Sequence, residues 1–180
     1  MKKLLIIALS LASLYAYKID TFKDDIVLDV AKIQDIFKGD SNDKSQDLFN
    51  LLKDDLDIEL MTKLVLSKNA NELSAEKLAE FQSIFIERLK KDFSSKIDLV
   101  KGSSLELTST NIDDKRCQAN MKVEYEEQVK EMIFKFRIIN NECKLYDIDI
   151  LNTSLIASYR AQFLDIIKQS GINGLFEKLK

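Results

Sequence analysis

"SSLELTSTNIDDKRCQANMKVEYEEQVKEMIFKFRIINNECKLYDIDIL", residues 103–151, alternates apolar and polar side chains over most of its length. Leu105 and Leu107 begin the pattern. Ala119, Met121, Val123 and Tyr125 then stand against Gln118, Asn120, Lys122, Glu124 and Glu126. Met132, Phe134, Phe136 and Ile138 oppose Lys135 and Arg137, and Tyr146, Ile148 and Ile150 oppose Asp147 and Asp149. A period of two places alternate residues on opposite faces of a strand. "IDDK" (112–115) and "INNE" (139–142) supply the turns. The stretch therefore predicts four half-buried strands in an antiparallel meander, one face on a core and one wet.

Upstream, the period is that of a helix. Ile19, Phe22, Ile26, Val30, Ile33 and Phe37 recur at steps of three and four until "KGDSND". Leu48, Phe49, Leu52 and Leu56 mark a second helical stretch, and Ile58, Met61, Leu64 and Val65 a third. Ser74 is an N-cap for a long helix carrying Leu78, Phe81, Phe85 and Leu89. Downstream, "SLIASYRAQFLDIIKQSGINGLF" (154–176) reads as a helix, a stop at Gly171 and a second helix. Helices, then strands, then helices imply an α+β fold, with helices packed on one face of a curved antiparallel sheet of four or more strands.

"MKKLLIIALSLASLYA" (1–16) has a basic start, an apolar run from Leu4 to Leu14 and small residues at its end. That is the pattern of a secretory signal peptide, and it is too short to span a bilayer. Cleavage after Ala16 leaves a single domain, residues 17–180, with 25 basic and 30 acidic residues and a net charge near −5. Such a chain has no basic stripe for nucleic acid. It contains no histidine, which excludes a His-containing triad or a His-ligated metal site, and four glycines without a phosphate loop. No cofactor is called for.

Two cysteines invite a disulfide in an exported protein. Cys117 falls in phase with inward-facing residues and Cys143 with outward-facing ones, so pairing requires a bend near Asn140. Arg160 sits at the rim of the stripe formed by Leu155, Ile156, Tyr159, Phe163, Ile166 and Ile167. A charge there needs water or a partner. The structural reading gives it a salt bridge to Asp147 or Asp149, or lets its stem snorkel the charge into water. The functional reading gives it a phosphate or a partner protein. Asp147 and Asp149 beside Tyr146 also admit an acid–base reading, although a wet strand face is ordinarily just solvated.

The C-terminal stretch closely resembles the helices of the MlaC, or toluene-tolerance, family, through Ser154, Leu155, Tyr159, Arg160, Phe163, Gly171, Gly174, Leu175 and Leu179. "CKLYDIDI" (143–150) is similar to the strand that leads into them, and residues 58–89 to the middle helices. The chain departs from the family at Asn152 and Thr153, where a glycine is common, and at "SKNANE" (67–72), where a glycine and a tryptophan are. The resemblance implies a periplasmic phospholipid shuttle that maintains outer-membrane lipid asymmetry, without enzymatic activity. Its partners would be an inner-membrane ABC-transporter complex with an MCE-type lipid-binding component and an outer-membrane lipoprotein complex. It also implies an apolar cavity between sheet and helices. The residues expected to line it are Met121, Val123, Met132, Phe134, Phe136 and Ile148 from the sheet, and Phe81, Phe85, Leu89, Tyr159 and Phe163 from the helices. Arg160 would stand near the headgroup or a partner. Two other readings stay open: an adaptor with a filled core and no cargo, and a small histidine-free enzyme on a curved sheet.

Overall fold

The computed structural model describes residues 17–41, 43–97, 104–125, 128–150 and 152–180; the expected leader, residues 1–16, lies outside them, as do Glu126 and the side chain of Tyr125. Five helices are found among the described residues: α1 (Phe22–Lys38), α2 (Lys44–Leu52), α3 (Ile58–Leu66), α4 (Ala75–Ile97) and α5 (Leu155–Leu179). Short polar side chains start four of them. Asp43, Asp57 and Ser154 accept from the backbone N–H three residues on at 2.9–3.0 Å, and the Ser74 hydroxyl accepts from Lys77 at 3.2 Å. Gly171, at φ 70° and ψ 177°, breaks α5 at the stop expected from sequence.

Six strands form one antiparallel sheet: β1 (Tyr17–Lys18), β2 (Leu105–Ile112), β3 (Arg116–Tyr125), β4 (Gln128–Ile139), β5 (Glu142–Ile150) and β6 (Thr153–Ser154). The four long ones are those expected. The two-residue β1 and β6 are additions that pair with opposite ends of the free edge of β5. Between them Leu145 accepts from the Asp57 N–H at 2.8 Å, so that edge is covered from end to end. The β4–β5 turn has Asn140 and Asn141 at φ 51° and 68°, the signs of a type I′ hairpin.

A register shift governs β5. Lys135 pairs with Asp147 but Phe136 pairs with Leu145, so Tyr146 is the extra residue of a bulge. The bulge reverses the side-chain phase between the two ends of the strand. Cys143 and Leu145 are therefore buried on the same side as Phe134, Phe136 and Ile148, and Tyr146 packs on the opposite cluster. This corrects the outward phase expected for Cys143. Cys143 is joined to Cys117 by a disulfide, with the Cα atoms 6.0 Å apart. One belongs to β5 and the other to β3, with β4 between them. Strands two places apart in a flat sheet are about 9.6 Å apart, so the short separation measures how strongly the sheet curls.

The core has two parts. In the first, α1 and α2 pack on the concave face of the sheet, with Phe22, Ile26, Val30, Ile33, Leu48 and Leu52 against Ala119, Met121, Phe134, Phe136 and Ile148. Phe136 meets Tyr17 and Phe22 edge-on at 5.4 and 5.0 Å. In the second, α3, α4 and α5 enclose Val65, Leu66, Phe81, Phe85, Leu89, Tyr159, Phe163 and Leu175. Leu56, in the link from α2 to α3, touches both.

Candidate functional site

An apolar cavity of about 30 Å³ lies where the two cores meet. From α2 come Ser45, Leu48, Phe49 and Leu52, and Leu56 follows from the link. Met61 of α3, Leu89 of α4 and Leu155 of α5 close the helical side, and Leu145, Asp147 and Ile148 of β5 form the sheet side. The amphipathic pattern places these residues there. Helix α2 is only nine residues long, yet carries Leu48, Phe49, Leu51 and Leu52, more than one packing face can use. Leu48 and Leu52 are buried in the first core, and Phe49 is left half-buried at the cavity.

Of the eleven residues expected to line a cavity, Leu89 and Ile148 do so here. The others divide between the cores. Met121, Val123 and Phe136 are buried on the concave face with Phe134, and Met132 packs against them half-buried. Phe81, Phe85, Tyr159 and Phe163 form a continuous aromatic cluster with ring centroids 5.4–5.9 Å apart. Ser45, Phe49, Leu56, Leu145 and Leu155 line the cavity without having been expected to. The crowding of apolar residues on α2 is the one sequence signal that points to them.

Asp147 is not on a wet face. It is buried, and its carboxylate accepts from the Ile148 N–H at 2.9 Å, the Ile156 N–H at 3.1 Å and the Ser154 hydroxyl at 2.8 Å. It thus anchors the start of α5 to the sheet. Lys135 neutralises it at 3.3 Å and Asp149 at 2.6 Å. Burial opposes the Lys135 charge, but its hydrogen bond to Asp149 and the two carboxylates raise its pKa above the ordinary lysine value.

The salt bridge expected for Arg160 is therefore absent: both aspartates are taken by Lys135. Arg160 is exposed and donates to the Ser67 hydroxyl at 3.3 Å. Asp147 keeps the face opposite Ile148 that its alternation predicts, but the start of α5 covers that face there, more than one helical turn before Arg160. Ser67 itself adopts φ 54°, ψ −136°, which L-residues rarely take. Asn152 adopts φ 62°. Both backbones take the positive-φ conformation that favours glycine.

Further buried groups complete the surroundings. Asp57 caps α3 and binds Arg137 of β4 at 2.7 Å, pinning the second core to the sheet. Asp55, in the same link, is buried with no hydrogen-bond partner on Oδ1 among the described residues, and burial pushes its carboxyl up to about 7. Tyr159 of α5 donates to Asp92 of α4 at 2.6 Å; burial first, then that carboxylate, raises the pKa of the Tyr159 hydroxyl. Among the described residues no group of side chains could hold a metal ion, and no helix is long and apolar enough to cross a membrane.

A curled antiparallel sheet gripping helices, with an apolar seam between two cores, defines the class of the molecule as an α+β fold with an apolar internal cavity. The sequence model of the MlaC protein family matches residues 20–180, and the chain belongs to that family. No curated protein matches it. Among solved structures, it is similar to the phospholipid-binding protein from Ralstonia solanacearum in complex with a phospholipid, with a TM-score of 0.70 and 20% identity over 92% of this chain and 95% of that one. A de novo designed protein with a curved β-sheet overlaps 37% of this chain and 62% of its own, at a TM-score of 0.30 and 17% identity.

Proposed function

We propose that the protein, as a single carrier domain over residues 17–180, binds phospholipid with its acyl chains in the seam between the two cores. The observation that carries this is the seam itself. Its walls are almost wholly apolar, and they belong to two packed units that share Leu56 and are tied by the Asp57–Arg137 and Asp147–Ile156 contacts. Family membership and the likeness to a protein solved with a phospholipid support the reading. At about 30 Å³ the seam holds about two waters and no acyl chain, so the units must part for a lipid to be taken up. They can do so without either core unfolding, because each keeps its own aromatic contacts.

The energetic logic is simple. Each methylene removed from water is worth about 0.8 kcal/mol, so two long chains represent on the order of 20 kcal/mol. A carrier therefore needs an apolar interior and an opening, and no catalytic residue. Export by the leader over residues 1–16 would deliver it to the periplasm. There it would pass lipid between an outer-membrane lipoprotein complex and an inner-membrane ABC-transporter complex with an MCE-type component, maintaining outer-membrane lipid asymmetry. Mass spectrometry of organic extracts of the periplasmic protein should find phospholipid. Leu155→Trp, which overfills the seam from its half-buried rim, should remove that lipid and cost about 1 to 3 kcal/mol while the circular dichroism spectrum of the fold is kept. Wild-type extracts free of phospholipid would overturn the reading in favour of a filled-core adaptor.

A further inference from the structure

The α2 wall of the seam is guarded by a cation. Lys90 lies next to the lining residue Leu89 on α4, and its ammonium sits 4.7 Å from the centroid of the Phe49 ring, itself a lining residue. Its carboxylate partner is Glu87, one turn back at 2.7 Å; Glu87 is 71% exposed and Lys90 only 24%. An ion pair with an exposed carboxylate is weak, and a face-on ring is a weaker counterpart than a full anion. Two cations of the sheet are held more firmly. Lys135 bridges two aspartates, and Arg137 meets the buried Asp57. Lys144 donates to the Asp54 carbonyl at 2.8 Å. Arg160 bonds to Ser67, and neither lines the seam.

We propose that Lys90, resting on Phe49, is the residue that receives the phosphate of the bound lipid, and that its transfer from ring to phosphate frees Phe49 to move aside for the chains. The inference rests on the carrier reading above. Lysine suits this role because a flexible apolar stem can stay on the wall of the seam while the ammonium, with three donors, reaches a new anion. Ser45, one helical turn before Phe49, also lines the seam, with its hydroxyl donated to Asp43 at 2.7 Å. The ligand class is an amphiphile with two apolar chains and a phosphodiester. A neutral lipid of equal chain length lacks the group that draws Lys90 off the ring.

The test compares uptake from vesicles of phosphatidylcholine doped with either fluorescent phosphatidylglycerol or fluorescent diacylglycerol of the same chains. The expected result is that Lys90→Met lowers phosphatidylglycerol uptake about tenfold and does not lower diacylglycerol uptake, which rises where the lysine held Phe49 in place, while Lys90→Arg keeps at least half of the wild-type phosphatidylglycerol uptake. Equal losses for both lipids, or none, would overturn the proposal while leaving the carrier reading intact. Wild-type protein that takes up neither lipid would overturn both. A free-phosphate site is distinguished by Lys90 acylation: inorganic phosphate protecting the lysine in delipidated protein as well as phosphatidylglycerol does would also overturn the assignment to lipid.

Discussion

Reducing the Cys117–Cys143 bridge should cost about 3.5 kcal/mol of stability. The two cysteines are 26 residues apart in sequence. Cross-linking a loop of that length removes about 12 cal/mol/K of chain entropy from the unfolded state, which gives the figure at 25 °C. On the native side, the Cα separation of 6.0 Å lies within the ordinary range. Both cysteines are fully buried in the first core, so reduction leaves their packing in place, whereas Cys117→Ala with Cys143→Ala also removes buried sulfur atoms. The double variant should therefore lose more than the reduced wild type. The chain has no tryptophan, so the assay is far-ultraviolet circular dichroism through guanidinium titrations of the oxidised, reduced and double-alanine proteins. The denaturant slope should rise on reduction, because the unfolded chain expands. A loss below about 1 kcal/mol with an unchanged slope would refute the reasoning; it would mean that the β3–β4–β5 hairpins already confine the loop in the unfolded ensemble.

Arg160→Ala should cost less than about 1 kcal/mol in a denaturant melt, because the exposed guanidinium makes one 3.3 Å hydrogen bond to Ser67; a loss of about 3 to 5 kcal/mol would instead mean that it neutralises a buried carboxylate. Asp55 sets a pH dependence. Burial raises its carboxyl to about 7, with Lys144 opposing and Asp29, Asp54 and Asp25 adding to the rise. The folded chain thus holds this proton more tightly than the unfolded chain, whose carboxyl has a pKa of about 3.9. The associated stability is present below about pH 4 and is lost as pH rises towards 7. Asp55→Asn cannot ionise, so its stability relative to wild type should climb between pH 4 and pH 8. The same difference at both pH values, measured by paired melts, would refute the assignment.

Much of the architecture is legible from local pattern. Alternation across residues 105–150 marks the four long strands, and Asp43, Asp57, Ser74 and Ser154 stand before their helices because short polar side chains satisfy first-turn N–H groups. Gly171 marks the break in α5 for an equally local reason. The seam is less legible. Phe81, Phe85 and Phe163 carry the same helical spacing whether they face a cavity or one another, since periodicity reports which face is buried and not what covers it. Leu56 and Leu155 are half-buried and belong by spacing to different helical stripes. Their meeting across α2, β5 and α5 is a product of packing.

By itself the sequence determined the α+β order of elements, the strand and helix periods, the expectation of export and the resemblance to a lipid-carrying family, because each rests on neighbours within a few residues of one another. Only the tertiary structure decided that Cys143 faces inward, that Asp147 belongs to Lys135 and the start of α5 rather than to Arg160, and that the apolar residues form two cores with a seam between them. For Cys143 the physical reason is one residue of register, and for the others it is which element packs over which face. The bulge at Tyr146 reverses the phase of β5, and a pairing between strands is chosen by contacts that no local pattern contains.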